Sequence, residues 1–581
     1  MKRTHVNNQL RVTNINETVT LIGWIAKRRH FGSIVFVDLR DRNGITQLVI
    51  NEEKLPEVNR LKNEDLITAT GTVVRRENAN TKLETGEIEV EVASFELINH
   101  AKQPPLIIQD DTDALEETRM KYRYLDLRRP IMQQRLRKRH QIVKAMRDYL
   151  DDHGFIDVET PMLTKSTPEG SREYLVPSRV HPGEFYALAQ SPQIFKQLLM
   201  IAGFERYYQV ARCFRDEDLR ADRQLDFTQV DIEASFLEEE EFQTIIEEMM
   251  VQVFKKALDQ DLKVPFERIP FQQALNQYGS DKPDTRFELY LQDLSEVFKE
   301  SEFVVFKTAL QEANGAIKGL VVPNQAQRTR REIDGYTDLV KKYGAKGLVT
   351  LKYVAGQLEG SALKFLTTEE QQRLIEVLSL NDQDLVCIVA SEWETACVAL
   401  GALRMHFRDQ LQLVQKGVFN FAWVTEFPMF EESEGRLVAR HHPFTRPRVS
   451  TPQELEVNPL DIKAVAYDLV LNGFEVAGGS MRIYDGAMQT KLFEMIGFTP
   501  EQIQKRFGFF IDAFDYGTPP HGGIAFGLDR LVMVLVEADS IRDVIAFPKN
   551  ASARDPLTMA PSPVSEEQLE ELHLEIVKQK D

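Results

Sequence analysis

Cysteine is scarce and unpatterned: three residues in 581, Cys213, Cys387 and Cys397, with no CxxC pair. That excludes a disulfide framework and a structural zinc site, and leaves three buried apolar thiols as the expectation. Long hydrophobic runs are missing too. No stretch of about 18 uncharged apolar residues occurs, and the opening MKRTHVNNQLRVTNIN has no apolar signal core, so the chain reads as cytoplasmic with no membrane partner. There is no GxxxxGK[ST] and no GxGxxG opening a helix, which disfavours a P-loop or a dinucleotide fold. Internal repeats and low-complexity tracts are absent.

What is present is a large soluble composition, 43% hydrophobic and 28% charged, long enough for three or four domains. A net charge of −19 argues against a protein that coats nucleic acid indiscriminately. The charge is unevenly placed, however. Residues 1–100 carry 14 Lys+Arg against 14 Asp+Glu, and the remainder carries 57 against 76. A neutral N-terminal module precedes an acidic body.

Residues 1–103 read as five short strands, TVTLIGWIAKRRH, SIVFVDLRD, ITQLVIN, LITATGTVVRR and IEVEVASFELIN, split by turns such as DRNG and ETGE. Five strands in this length suit a small barrel of the oligonucleotide-binding type. Lys27, Arg28, Arg29, His30, Phe31, Phe36, Arg40 and Gln47 combine cations for phosphate with aromatics for stacking. A solvated hairpin over a core phenylalanine has the same composition. Residues 104–135 read as a linker or hinge. Pro130 can open a helix carrying Leu136, Ile142, Val143, Met146 and Leu150 on one face until Gly154, and FIDVETPML then alternates like a strand stopped by Pro161. That boundary element suits a subunit contact or ordinary packing.

Strands and helices mix over 136–284. Residues 285–416 read as an inserted α/β domain: LYLQDLSEVFK, EEQQRLIEVL and TACVALGALRMHF helical, GLVTLKYV and DLVCIVAS extended. FNFAWVTEFPMF then resumes the main sheet within 417–554. In 555–581, SEEQLEELHLEIVKQ has a capping-box pattern at Ser565 and Gln568, with Leu569, Leu572 and Ile576 on one face, and predicts a docked helix.

Three stretches could carry chemistry. FRDEDLRADRQLDFTQVDIE, 214–233, holds three arginines and seven carboxylates between two strand-like flanks. Arg215 and Glu217, two apart, share a face and could offer a guanidinium to phosphate and a carboxylate to an amino group. A surface hairpin with local ion pairs fits equally. In YDLVLNGFEVAGGSMRIYD, Asp468 and Glu475 flank an Asn-Gly break and Arg482 follows a Gly-Gly turn; the carboxylates suit magnesium beside a phosphate substrate, or the glycines only a tight hairpin. In PPHGGIAFGLDRLVMVL, Gly527 lets backbone approach a ligand beside Arg530.

Taken in order, these stretches resemble the signature motifs of the class II aminoacyl-tRNA synthetases: GFIDVETPML is similar to motif 1, FRDE with QVDIE to motif 2, GLDR to motif 3. STPEGSREYLVP, QSPQIFKQLLM, GSDKPDTRF, HHPF, PPHGG and PKNASARDPLTMAPSPV resemble the bacterial aspartyl branch of subclass b, over essentially the whole chain. The resemblance implies a multidomain α/β protein. An OB-fold anticodon barrel would precede an antiparallel catalytic sheet flanked by helices and interrupted by a GAD-type insert.

It further implies activation of L-aspartate by ATP with Mg²⁺, then transfer to tRNA(Asp), with tRNA(Asn) open, by a cytoplasmic homodimer. Arg215, Arg530 and Glu475 would be catalytic. Glu169, Gln193, Lys196, Arg215, Asp231, His441 and Arg482 would bind aspartate, His442 being the alternative to His441. Arg215, Asp216, Glu217, Gln224, Phe227, Glu475, Gly527, Leu528, Asp529 and Arg530 would bind ATP, with adenine between Phe227 and Arg530. Asp468 and Glu475 would hold the metal. Lys27, Arg28, Arg29, Phe36 and Gln47 would read the anticodon, and Phe31 would bear on tRNA discrimination. Asparaginyl- or lysyl-type enzymes of the subclass, or a catalytically idle RNA-binding paralogue, are the competing readings.

Overall fold

The computed structural model describes residues 2–166 and 171–577. They form two compact units, Met1–His140 with Arg542–Val564 and Gln141–Ile541 with Ser565–Asp581.

In the first unit, β1 (Thr18–Phe31), β2 (Ile34–Asp41), β3 (Gly44–Asn51), β4 (Leu66–Arg75) and β5 (Ile88–Asn99) close into a barrel in the order β1-β2-β3-β5-β4. Alternation decides what fills it. Val19, Leu21, Ile25, Val35, Val37, Leu39, Leu48 and Ile50 are fully buried inside. A bulge between Ile25 and Lys27 then resets the parity of β1, setting Lys27 opposite Asp38, Arg28 opposite Val37 and Arg29 opposite Phe36. Directly opposed residues share a face, so Lys27 and Arg29 stand outside with Phe36, and Arg28 turns the other way with Val37.

The stretch 104–135 is not a free hinge. It holds the helices Glu116–Lys121 and Arg123–Asp126 and the start of the helix Pro130–Asp152. Asp126 is fully buried and receives Arg119, Arg123 and Arg129. Arg123 also donates to the carbonyls of Arg542, Ile545 and Ala546, so residues 542–564 belong to this unit rather than to the expected 417–554 segment. Three cations converging on one carboxylate from a polar tract have no periodic signature.

The second unit is organised by an eight-stranded sheet. Its strands are β6 (Ile156–Asp157), β7 (Arg206–Phe214), β8 (Asp226–Ser235), β9 (Glu267–Pro270), β10 (Phe421–Thr425), β11 (Ala466–Leu471), β12 (Phe474–Met481) and β13 (His521–Gly527). They lie in the order β9-β10-β11-β12-β13-β8-β7-β6. The six middle strands are antiparallel, and the edge pairs β9–β10 and β7–β6 are parallel. Every residue of FAWVT and AYDLVL is buried, which is why these strands read as continuous rather than alternating runs. FIDVETPML gives the two residues of β6 and, at its end, Leu163 of the short strand Leu163–Thr164, and Ile156, Met162 and Leu163 stay about half exposed.

Between β9 and β10 lies the insert. Its sheet runs Leu291–Asp293, Gly315–Val322, Asp384–Glu392, Val349–Val354, Gln357–Glu359, all antiparallel, packed with the helices Val304–Gln311, Arg330–Lys342, Thr368–Leu378 and Trp393–Gln410. LYLQDLSEVFK is not a helix. Leu291, Leu294, Val297 and Phe298 are buried from a short strand and turns, and their spacing imitates a helical stripe. The C-terminal expectation also fails in part. The Ser565 capping box forms, but the helix is only Glu566–Glu571, with no buried residue and Ile576 exposed, too short to present a face. The three thiols are buried and none forms a disulfide among the described residues, and Cys213 Sγ donates to Gln229 Oε1 at 3.3 Å.

Helix Trp393–Gln410 meets the turn after the helix Phe271–Tyr278 through two glycines. A Cβ on Gly401 would lie 2.2 Å from the carbonyl oxygen of Gly279. Gly401→Ala should therefore lose about 1–3 kcal/mol in urea or thermal unfolding. Gly347→Ala, with nothing within 4 Å of its Cβ, should stay near wild type. Equal stability of the two variants would refute the close contact.

Candidate active site

The strand β7, the loop 215–225 and β8 form the charged hairpin expected from the sequence. Beside it opens a cavity of about 760 Å³ lined by Arg215, Glu217, Gln224, Phe227, Glu475, Gly527, Asp529 and Arg530, and also by Asp222, Arg223, Gln229, Lys282 and Tyr343. The Arg215 guanidinium lies 5.2 Å from the Phe227 ring centre. Arg530 donates to the Glu475 carbonyl at 2.7 Å and pairs with Asp222 at 3.1 Å. Glu217 pairs with Arg223 at 3.1 Å. Asp529 accepts the Thr228 N–H at 3.0 Å, tying the helix Leu528–Leu535 to β8. Two expected ATP residues fall outside the lining. Leu528 is buried in the wall, and Asp216 faces Arg172 at 3.6 Å.

Arg482 does not line this cavity with Arg215 and Arg530. It sits in an adjoining buried cluster, reached along one face of β8: Gln229 borders the cavity, and Asp231 and Glu233 are the next positions on that face. Lys196, on the helix Gln193–Ile201, lies 2.5 Å from Asp231 and 3.2 Å from Glu233. Arg482 grips Glu233 at 2.9 and 3.1 Å and donates to Ser480 Oγ at 2.5 Å. All four charged residues are 0–2% exposed. Burial pushes the Glu233 carboxyl up, but Arg482 and Lys196 outweigh it and leave it at about 2. Burial, helped by the Glu233 charge, keeps Asp231 above its usual range despite Lys196.

Glycine makes room for this. A Cβ on Gly523 would lie 1.8 Å from Glu233 Oε2. One on Gly478 would lie 3.0 Å from Asp468 Oδ1 and 3.4 Å from Glu475 Oε1, so both carboxylates reach over that glycine. Burial and the Glu475 and Asp281 charges hold Asp468 well above the normal carboxyl range, and Lys282 Nζ lies 3.2 Å from Glu475. No group of three or more His, Cys, Asp or Glu residues suited to a metal occurs among the described residues, so a cation here would draw its other ligands from elsewhere.

Several buried polar atoms of the site lack a partner among the described residues: Asp231 Oδ2, an acceptor, Gln193 Nε2, Arg215 Nε and Arg530 Nε, donors, and His441 Nε2. Glu169 lies outside the described residues. The two histidines divide. His442 Nε2 accepts from Arg482 at 2.7 Å, whereas His441 packs edge-on against Phe427, with Glu475, Asp281 and Lys282 acting on it. The sequence left His441 and His442 as alternatives; His442 touches Arg482, while His441 Nε2 is buried without a partner among the described residues. Glu233 was missed although QVDIE alternates and puts it on the Asp231 face. Lys282 was missed inside GSDKPDTRF.

On the barrel, Arg29 bonds Asp38 at 2.8 Å and Gln47 at 3.2 Å, and Gln47, only 4% exposed, donates to Glu89 at 2.7 Å. Phe36 is half-buried on that face, and Phe31 stands 79% exposed at the hairpin tip. Two candidates are structural instead. Arg28 donates to the carbonyls of Val58, Asn59 and Leu61, and Arg40 is buried against Glu64 at 2.6 Å.

A cavity rimmed by arginines on a mostly antiparallel sheet, in a chain that also carries a closed five-stranded barrel, defines a class. Residues 115–551 match the family model of tRNA synthetases class II (D, K and N), and residues 19–98 match that of the OB-fold nucleic acid binding domain. The chain belongs to the class II (D, K and N) tRNA synthetases.

Within that class, it is 53% identical, over 99% of its length and 98% of the relative's, to the "Aspartate--tRNA(Asp/Asn) ligase" of Anoxybacillus flavithermus. It is 51% identical, over the full length of both, to the "Aspartate--tRNA ligase" of Shouchella clausii. The asparaginyl-tRNA synthetase of Pyrococcus horikoshii, solved with asparaginyl-adenylate, shares the fold at TM-score 0.59 and 18% identity, over 94% of this chain and 98% of that one. The aspartyl tRNA synthetase of Entamoeba histolytica does so at 0.57 and 18%, over 94% and 92%.

A ring that accepts from Arg482 must be neutral, and burial together with Arg482 holds His442 well below the usual histidine range; burial lowers His521 as well. The unfolded chain protonates both below about pH 6.5 while the folded one does not, so stability falls as pH drops through that point. Melting temperatures from pH 7.5 to 5 should decline, less steeply in His442→Asn. Parallel curves for the two proteins would contradict the buried neutral ring.

Proposed function

We propose that the chain is an aspartate–tRNA ligase, joining L-aspartate to ATP as aspartyl-adenylate with release of pyrophosphate, then passing the aspartyl group to the 3′ end of tRNA(Asp). One observation carries the reading: two buried cations, Lys196 and Arg482, beside a partnerless acceptor, Asp231 Oδ2, next to an arginine-lined cavity of nucleotide size. The full-length relatives named as aspartate ligases support it.

In the first step a carboxylate oxygen attacks an α-phosphorus surrounded by negative oxygens, the new C–O–P link forms and the bond to pyrophosphate breaks. The obstacle is electrostatic, so fixed positive groups rather than a protein nucleophile supply the catalysis. Arg215 bridges the reacting carboxylate and the α-phosphate. Its free Nε and the nearby Gln193 amide are unmatched donors. Glu217 accepts from the adenine amino group, Phe227 stacks on the ring, Gln224 and the Gly527 backbone border the nucleotide, and Arg530 meets the terminal phosphate. Glu475 and Asp468 fit Mg²⁺, which when bound neutralises phosphate charge.

The charge count selects the amino acid. Lys196 and Arg482 are balanced by Asp231 and Glu233 before substrate arrives. Aspartate adds an ammonium to Asp231 and a side-chain carboxylate to the two cations, so the charges of this cluster stay balanced. Asparagine adds the ammonium without the carboxylate, and a buried cation is left under-compensated. In the second step the terminal tRNA hydroxyl attacks the acyl carbon and AMP leaves.

The outer barrel face, with Lys27 and Arg29 toward phosphate and Phe36 toward a splayed base, suits single-stranded RNA, and Gln47, nearly buried, would reach a base edge only by giving up its bonds to Arg29 and Glu89. Phe31 at its tip bears on acceptance of tRNA(Asn). The exposed Ile156, Met162 and Leu163 favour pairing of two subunits through this edge. No helix among the described residues is long and apolar enough to cross a membrane, and a cytoplasmic homodimer suits the activity.

The deciding experiment is charging of tRNA(Asp) and tRNA(Asn) side by side with aspartate and with asparagine; no aspartyl-tRNA of either kind would overturn the assignment. Arg482→Leu should lower aspartate-dependent pyrophosphate exchange roughly a hundredfold or more, about 3 kcal/mol. Wild-type exchange by that variant would remove Arg482 from the pocket. Aminoacylation should also weaken more steeply with salt than amino-acid activation, because only the former neutralises tRNA phosphates. Equal salt slopes would count against the barrel as an RNA reader.

A further inference from the structure

Lys282 lines the nucleotide cavity, yet the reaction above gives it no task. Its ammonium lies 3.2 Å from Glu475, one of the two carboxylates that reach over Gly478. Its backbone belongs to the segment leading from the helix Phe271–Tyr278 into the insert, and the insert's last helix anchors that segment. Arg404, 1% exposed, donates from Nε to the Leu289 carbonyl at 2.9 Å and from Nη2 to the carbonyls of Phe287 at 2.8 Å and Asp284 at 3.1 Å. It also covers the Phe287 ring at 3.8 Å, while Arg408 pairs with Asp284 at 3.2 Å. Tyr343, from the insert itself, borders the same cavity.

We propose that Lys282 is a phosphate-contacting residue of the ATP site, held in place by the inserted domain through Arg404, and that before nucleotide arrives it stands in for the divalent cation at Glu475. The physical reason is competition. The ammonium faces Glu475 Oε2 while Oε1 reaches over Gly478 with Asp468, so a divalent cation held by Oε1 shares the carboxylate's single charge with Lys282 and repels it. Once the divalent cation takes Glu475, Lys282 is left in a half-enclosed cavity where the remaining anions are the phosphates of the nucleotide. The inference rests on the reading of Asp468 and Glu475 as metal ligands. It also assigns work to the insert: Arg404 is a positioning residue that fixes the backbone from which Lys282 reaches.

The test uses the full chain and two binding measurements that move in opposite directions. Mn²⁺ alone, followed by electron paramagnetic resonance, should bind Lys282→Met at least about fivefold more tightly than wild type, because a competing charge is gone. ATP with Mg²⁺, followed by calorimetry, should bind the same variant about tenfold or more weakly, because a charge-assisted phosphate contact is lost. Lys282→Arg should restore most of the ATP affinity, and the aspartate KM should stay at the wild-type value throughout. Weakening of both ligands together, or unchanged ATP affinity, overturns the proposal. Asp468→Asn that binds Mn²⁺ like wild type overturns the metal reading beneath it and the exchange at Glu475. Arg404→Lys with wild-type ATP affinity overturns the insert's part in it.

Discussion

Charge buried without water has to be balanced by charge, and the site is organised around that constraint. Lys196, Arg482, Asp231 and Glu233 sit together at essentially zero exposure. Removing any one of them would leave an uncompensated buried ion, a loss of several kcal/mol in other proteins. The cluster is therefore a structural centre of the sheet, and on the proposed reading it is also the selective surface, where a ligand bringing one positive and one negative group preserves neutrality. Stability and the proposed specificity then share the same four side chains.

Around that centre the sheet is arranged to let charged groups approach. Gly478 clears the space over which Asp468 and Glu475 meet, and Gly523 clears the space that Glu233 occupies. The cavity is built from several distant parts of the chain: Arg215 from the β7–β8 loop, Glu475 from β12, Arg530 from the helix after β13, and Lys282 from the approach to the insert. Convergence of cations without a covalent nucleophile is the arrangement that transfer to phosphorus at a crowded anionic centre calls for. On the barrel the corresponding device is a single bulge, which turns Lys27 and Arg29 outward and sends Arg28 to tie down the loop at Val58–Leu61.

Much of this was legible beforehand, and unevenly so. The barrel strands announced themselves as short β-rich segments split by turns, and FNFAWVTEFPMF as the return to the main sheet. The hairpin around Arg215 was marked by two strand-like flanks and an arginine where a solvated loop needs none. The misreadings share a cause. LYLQDLSEVFK places apolar residues at helical intervals, but its core contacts come from a strand and turns, and no local pattern separates the two. Residues 104–135 read as a linker or hinge because nothing local shows that Arg119, Arg123 and Arg129 converge on Asp126. Glu233 was visible in the period of QVDIE, whereas its bidentate partner 249 positions away was not.

The amino-acid sequence alone determined the kinds of element, the order of the motifs and the residue types that handle phosphate and carboxylate, because these follow from local periodicity, turn chemistry and side-chain functionality. Which charges are buried against which was decided only by the tertiary structure. It set Arg482 behind the nucleotide cavity rather than in it, put His442 and not His441 on Arg482, and gave Lys282 to Glu475. Partners in a buried ion cluster come from strands far apart in the chain, and their pairing is fixed by strand order and by where glycine leaves room, neither of which a short window of sequence contains.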